Sequence, residues 1–179
     1  MIQNSFCILE GVGEKIERRL WKEGVLSWDD FLSAEKLMMF SSERKRLFDE
    51  SLFLFQQRLQ ESDSFYFSKK VKRREQWRLF DKFGSDAVCL DIETSGLQPY
   101  SGGYVTMVGL YDGFDYKCFV HGKNLTVENL NSELRRYKCL ITFYGAAFDI
   151  PFLQRTMRGV EFDIPHFDLC FAAKRLNMH

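Results

Sequence analysis

The sequence predicts an α/β domain, a mixed β-sheet with flanking helices, preceded by a small all-helical N-terminal region. Three observations carry this prediction. Apolar residues recur at helical spacing through the first third of the chain. After residue 86, two extended runs joined by a tight turn give way to alternating helical and extended segments. The first extended stretch, A-V-C-L-D-I-E-T-S-G-L at 87–97, is an apolar strand that carries two carboxylates.

The chain has 179 residues, enough for one ordinary domain and an appendage. Hydrophobic residues make up 45%, with 18 Phe, 7 Tyr and 3 Trp, so the chain has the material for a packed core and is not a disordered one. The net charge of zero carries no nucleic-acid signature by itself. The charge is uneven, however: residues 66–82 hold seven Lys or Arg against Glu75 and Asp81. Cys7, Cys89, Cys118, Cys139 and Cys170 show no CxxC spacing. They are expected to be buried, reduced thiols that act as small hydrophobes. No leader-like opening and no membrane-length apolar run is present, so a cytoplasmic protein without membrane contact is expected.

In the helical region, residues 1–83, Gly11-Val12-Gly13 precedes a helix over Glu14–Trp21 that Gly24 ends. Ser27 and Asp30 form a capping pair for a second helix, with Phe31 and Leu32 facing inward. Ser41 or Ser42 opens a longer helix with Phe48, Leu52, Phe55 and Leu59 on one stripe. Phe65–Phe67 breaks the pattern, and Lys69–Phe83 reads as a further short helix with Arg73, Trp77 and Phe80 near one face. The run Lys69, Lys70, Lys72, Arg73, Arg74 reads either as a solvated face or as a phosphate-tracking surface.

The second domain, residues 84–179, opens on a strand at 87–93, followed by strands at 104–111 and 114–120 joined through Asp112-Gly113. A helix over 126–137 with Leu130 and Leu134 inward, a strand at 139–144, a helix at 148–157 and an extended piece at 161–167 complete it, with Asp168 opening a last helix. Side chains two apart on a strand share a face, so Asp91 and Glu93 point together while Ile92 points into packing. Two carboxylates that close repel unless a proton or a cation lies between them. A hard divalent cation is the natural relief.

D-I-E-T-S-G-L at 91–97, F-Y-G-A-A-F-D at 143–149 and H-F-D-L at 166–169 together resemble the motifs of the ribonuclease H-like, DEDD-type 3′–5′ exonucleases. With A-A-K-R-L after them, G-V-G-E-K-I-E-R-R-L-W at 11–21 and W-R-L-F at 77–80, they are similar to the branch related to YprB. The G-V-G turn at 11–13 also looks like the hairpin of a helix-hairpin-helix module. That likeness implies phosphate contacts at Gly11 and Gly13, helped by Lys15, Arg18 and Arg19; the alternative is a plain turn between packed elements.

The resemblance implies a metal-dependent 3′–5′ exonuclease acting on single-stranded DNA, or RNA, at a 3′ end. Asp91, Glu93 and Asp149 would be the catalytic carboxylates and hold two Mg2+ or Mn2+ ions, with direct hydrolysis and no covalent intermediate. Thr94 and Leu97 would contact the terminal nucleotide, and Tyr144 and Phe148 lie in the same substrate region, Phe148 packing beneath it. Asp168 carries two readings, a helix cap or framework contact and a direct site role. His166 reads as an accessory hydrogen-bonding residue, and His121 and His179 carry no signal.

Two departures accompany the likeness. Tyr144 stands where the family has Asn, and the chain is expected to end before the family's fourth acidic motif. The second departure implies exposed apolar surface on one side of the sheet, with self-association or a partner covering it. A nucleic-acid-binding module without catalysis, and a domain acting on another phosphodiester, are the alternative readings.

Overall fold

Gly13, with extended backbone, leads the chain into helix α1 (Glu14–Lys22) in the computed structural model, which describes residues 1–176. His179 lies outside the described residues. The chain divides into two compact units, Met1–Lys82 and Phe83 onward.

The first unit is helical. Helix α2 (Trp28–Ser33) starts in a full capping box: Ser27 Oγ accepts from the Asp30 N–H, and the Asp30 carboxylate accepts from the Ser27 N–H. Trp28 and Phe31 are its buried side, whereas Leu32 is only half-buried. Helix α3 (Ser42–Gln60) is capped by Ser41, and all four residues of the Phe48–Leu52–Phe55–Leu59 stripe are buried.

The segment after α3 differs from the sequence reading. Asp63 Oδ1 accepts from the Tyr66 N–H, which starts helix α4 (Ser64–Lys70) where a break was expected. That helix ends at Val71, whose backbone is extended. A 3-10 helix over Arg73–Leu79 and the single turn α5 (Phe80–Phe83) follow in place of one helix over 69–83. The buried amide of Gln76 donates to the Ser68 and Val71 carbonyls, satisfying the end of α4 from a tighter turn.

Glu17 is the polar anchor of this unit. Its buried carboxylate accepts from the Phe6 and Cys7 N–H groups at 2.6 and 3.0 Å and from Ser5 Oγ at 3.0 Å. The Arg78 guanidinium completes it at 2.8 Å and also meets buried Glu75 at 2.9 Å.

The second unit is a mixed sheet flanked by helices, as the sequence predicts. Its strands are β1 (Ala87–Thr94), β2 (Val105–Tyr111), β3 (Tyr116–Val120), β4 (Cys139–Thr142) and β5 (His166–Asp168), in spatial order β3-β2-β1-β4-β5. β1 pairs antiparallel with β2 and parallel with β4; β2–β3 is antiparallel and β4–β5 parallel. The hairpin turn is longer than Asp112-Gly113, because Asp112 Oδ1 accepts from both the Phe114 and Asp115 N–H groups and defers pairing to Tyr111–Tyr116.

Helices α6 (Val127–Leu134) and α7 (Asp149–Thr156) cover one face of the sheet. Val88, Leu90, Ile92, Val108, Leu110 and Leu140 pack there with Leu130, Leu134, Ile150, Phe152 and Leu153 in one buried cluster. A short helix, α8 (Leu169–Arg175), follows β5. The opposite face is open: Cys89, Asp91, Glu93, Tyr111 and Tyr116 are exposed.

Period-two alternation therefore corrects the cysteine reading. Cys89 shares the open face with Asp91 and Glu93, and Cys118 and Cys170 are half-buried. Cys7 and Cys139 are buried, and burial pushes the thiol of Cys139 up to about 12.

Candidate active site

β1 carries Asp91 and Glu93 on the open face because Val88, Leu90 and Ile92 claim the other. The β1–β2 register shifts between Glu93 and Thr94, an irregularity that ends regular pairing just after the second carboxylate. A cleft of about 480 Å³ lies over this face, lined by Asp91, Glu93, Met107, Gly109, Tyr116 and Phe143 among others.

Asp149 is the first residue of α7 and is only 5% exposed. Its Oδ1 accepts from the Ile92 N–H at 3.1 Å. Burial pushes its carboxyl above the ordinary carboxylate range. The hydrogen bonds from its own N–H and from Ile92 oppose that, while negative charge on Asp91 and Asp168 adds to it. Charge on Asp91 and Asp168 thus reaches Asp149 although both lie well away from it in sequence.

The turn that delivers Asp149 is held from three sides. A Cβ at Gly145 would meet Thr142 Cβ at 2.5 Å, so only glycine fits there. Tyr144 takes a left-handed backbone, φ +66°, a region that Asn and Gly enter more readily than aromatic residues. The buried Asp168 carboxylate accepts from the Tyr144 N–H at 3.0 Å, the Ala146 N–H at 2.9 Å and, as the cap of α8, the Cys170 N–H at 3.0 Å. His166 Nε2 lies 2.8 Å from Thr142 Oγ1 in the adjacent strand pair.

Among the predicted substrate residues, Leu97 is exposed, and Thr94 is half-buried with its Oγ1 accepting from the Gly96 N–H at 3.4 Å. Phe148 is exposed, its ring 5.6 Å from that of Phe152. Tyr144 is exposed beside Phe171, with the Lys174 ammonium 5.9 Å from its ring centroid.

The predicted phosphate residues belong to the first unit. Lys15 and Arg18 are exposed on α1, with Arg18 3.5 Å from Glu14; Arg19 is 2.9 Å from Glu23. Gly11 has the left-handed φ of a turn glycine, and Gly13 caps α1. The Arg44 guanidinium lies against Gly11, a cation that the sequence reading missed because α3 returns to the turn only in three dimensions. Lys69, Lys70, Lys72, Arg73 and Arg74 are exposed; Arg74 approaches Glu75 at 3.4 Å and Lys69 lies 5.3 Å from the Phe65 ring centroid.

Among the described residues, no group of three or more His, Cys, Asp or Glu side chains is arranged to hold a metal ion. The donor chemistry nevertheless suits a hard cation: all three predicted ligands offer oxygen, and Asp149 is a buried carboxyl on which the charge of Asp91 acts. Mg2+ is commonly held by one or two carboxylates, with water and substrate phosphate filling its remaining positions, so a protein cage is not required.

No helix among the described residues is long and apolar enough to cross a membrane. No curated protein matches the chain. Two solved structures are similar at 22% identity: Brucella melitensis NrnC with bound Mg2+, TM-score 0.41, and Brucella melitensis NrnC, TM-score 0.39. Each alignment covers 55% of this chain and 48% of the other, so the chain matches about half the length of those structures. The sequence profile of the RNase H superfamily matches residues 88–179, from the second residue of β1 through the carboxylate-bearing strand, α7 and α8. By that match over half its length, the chain belongs to the RNase H superfamily.

Proposed function

We propose that the chain is a metal-dependent 3′–5′ exonuclease of the DEDD type, in the branch related to YprB, that hydrolyses phosphodiester bonds at single-stranded DNA or RNA ends. The observation that carries this reading is the juxtaposition of buried Asp149 with Asp91, at the strand whose open face also presents Glu93. Asp91, Glu93 and Asp149 are the oxygen donors for Mg2+ or Mn2+. When bound, such ions supply Lewis-acid stabilisation of the phosphodiester and lower the pKa of water. The chain's own residues orient the strand end: Thr94 and Leu97 follow the carboxylates on the same segment, and Tyr144 and Phe148 flank the turn into Asp149. Asp168 holds that turn, with His166 bracing the neighbouring strand. Exposed Lys15, Arg18 and the 69–74 cluster contribute long-range attraction for a polyanion.

A second reading, a nucleic-acid-binding module without turnover, is favoured by the lack of three converging ligands among the described residues. The test that separates the two is degradation of 5′-labelled and 3′-labelled single strands in Mn2+ and in Mg2+, with Asp91→Asn alongside. Shortening from the 3′ end, lost in the variant, is the expected result. Salt-sensitive binding with no cleavage in either chain supports the second reading, and equal cleavage by both chains overturns the site.

A further inference from the structure

Gly109 makes a gap in the open face of the sheet. It pairs with Asp91 on one side and Cys118 on the other, so any side chain at 109 would project beside the Asp91 carboxylate. That space is taken from the next strand. Tyr116, two residues before Cys118, leans diagonally across, with its Oη 2.7 Å and its Cε2 and Cζ 3.3 Å from where a Cβ at 109 would stand.

The neighbouring Tyr111 Oη donates to the Gly113 carbonyl at 2.8 Å, whereas the Tyr116 hydroxyl has no hydrogen-bond partner among the described residues. Tyr116 is 63% exposed and lines the same cleft as Asp91, Glu93 and Met107. An aromatic side chain is thus laid inward over a glycine, next to the carboxylates, with its donor free and its ring accessible from the cleft.

We propose that Tyr116 is a substrate-positioning residue, its hydroxyl donating to a phosphate oxygen of the strand that the Asp91–Glu93 face receives, and that Gly109 is glycine so that Tyr116 can reach there. This rests on the nuclease reading and adds to it a residue outside the acidic motifs. A carboxylate face alone repels phosphate; a neutral donor beside it helps hold the strand without competing for a cation.

The experiment measures steady-state cleavage of a labelled single strand in Mn2+, and its binding by fluorescence anisotropy in Ca2+, for the wild-type chain, Tyr116→Phe and Gly109→Ala. Tyr116→Phe keeps the ring and removes only the hydroxyl. It is expected to raise KM and the dissociation constant about tenfold while leaving kcat and the melting temperature nearly unchanged. Gly109→Ala meets only the far end of the Tyr116 side chain, which can swing away; it is expected to reproduce the KM effect, and the double variant to be no worse than either single one. Wild-type KM and affinity in Tyr116→Phe overturn this proposal alone and leave the nuclease reading standing. A wild-type chain that neither cleaves nor binds the strand overturns both.

Discussion

The backbone N–H of Ile92 donates to Oδ1 of Asp149 at 3.1 Å, joining the strand between Asp91 and Glu93 to the first residue of α7 across 57 positions of sequence. The bond fixes a buried carboxylate against the strand that carries the other two. Ile92 thereby serves twice: its side chain is core, and its main chain holds the buried Asp149 carboxylate.

Asp149 is expected to cost stability when ionised. Its folded-state pKa is raised, chiefly by burial, so between the ordinary carboxylate value and that raised value the native state binds more protons than the unfolded one. Stability from this group is therefore fully present below the unfolded pKa and falls as pH rises through the folded one. Asp149→Asn should melt higher than the wild type at neutral pH, with the gap closing in acid. Mg2+ or Mn2+ should raise the wild-type melting temperature at neutral pH and leave that of Asp149→Asn nearly unchanged. Thermal melts over a pH series, with and without the cation, check both.

Tyr144 occupies a left-handed backbone without being glycine or asparagine. Tyr144→Asn should relieve part of a penalty of about 1 kcal/mol and raise the calorimetric melting temperature of the second unit by about 4 °C. No gain on substitution would mean that the ring's contacts with Phe171 and Lys174 offset the backbone cost.

Glu17 sits at the opposite extreme from Asp149. Burial raises its pKa, but the N–H groups of Cys7 and Phe6, then Arg78 and Ser5, outweigh burial and hold the carboxyl below its ordinary 4.5. Stability from Glu17 is therefore present above the unfolded pKa and lost as pH falls through the lowered folded value. Glu17→Gln removes the charge facing Arg78 and should cost about 3 kcal/mol. All three tryptophans, Trp21, Trp28 and Trp77, lie in the first unit, so urea unfolding followed by tryptophan fluorescence reads this loss selectively.

Local patterns made much of the fold legible. The Ser27–Asp30 capping box, the α3 stripe and the alternation of β1 each depend on neighbours within a turn or two, and each appears in the structure. The stretch 63–83 did not follow its pattern, because the Asp63 cap and the Gln76 amide decide there where helix starts and stops. Cys89 failed as a core residue for a related reason: an apolar residue in phase with Asp91 takes the face of Asp91, whatever its hydrophobicity.

The sequence by itself determined the strand with two carboxylates on one face and the order of strands and helices in the second unit, since these follow from side-chain period and residue chemistry over short spans. Only the tertiary structure decided that Asp168 holds the Tyr144–Ala146 turn, that Asp149 hangs from the backbone of Ile92, and that Tyr116 fills the space above Gly109. Those relations join residues on different elements, and no local period encodes them. They arise when strand register and helix packing bring a donor, an acceptor or a missing side chain to the same point in space.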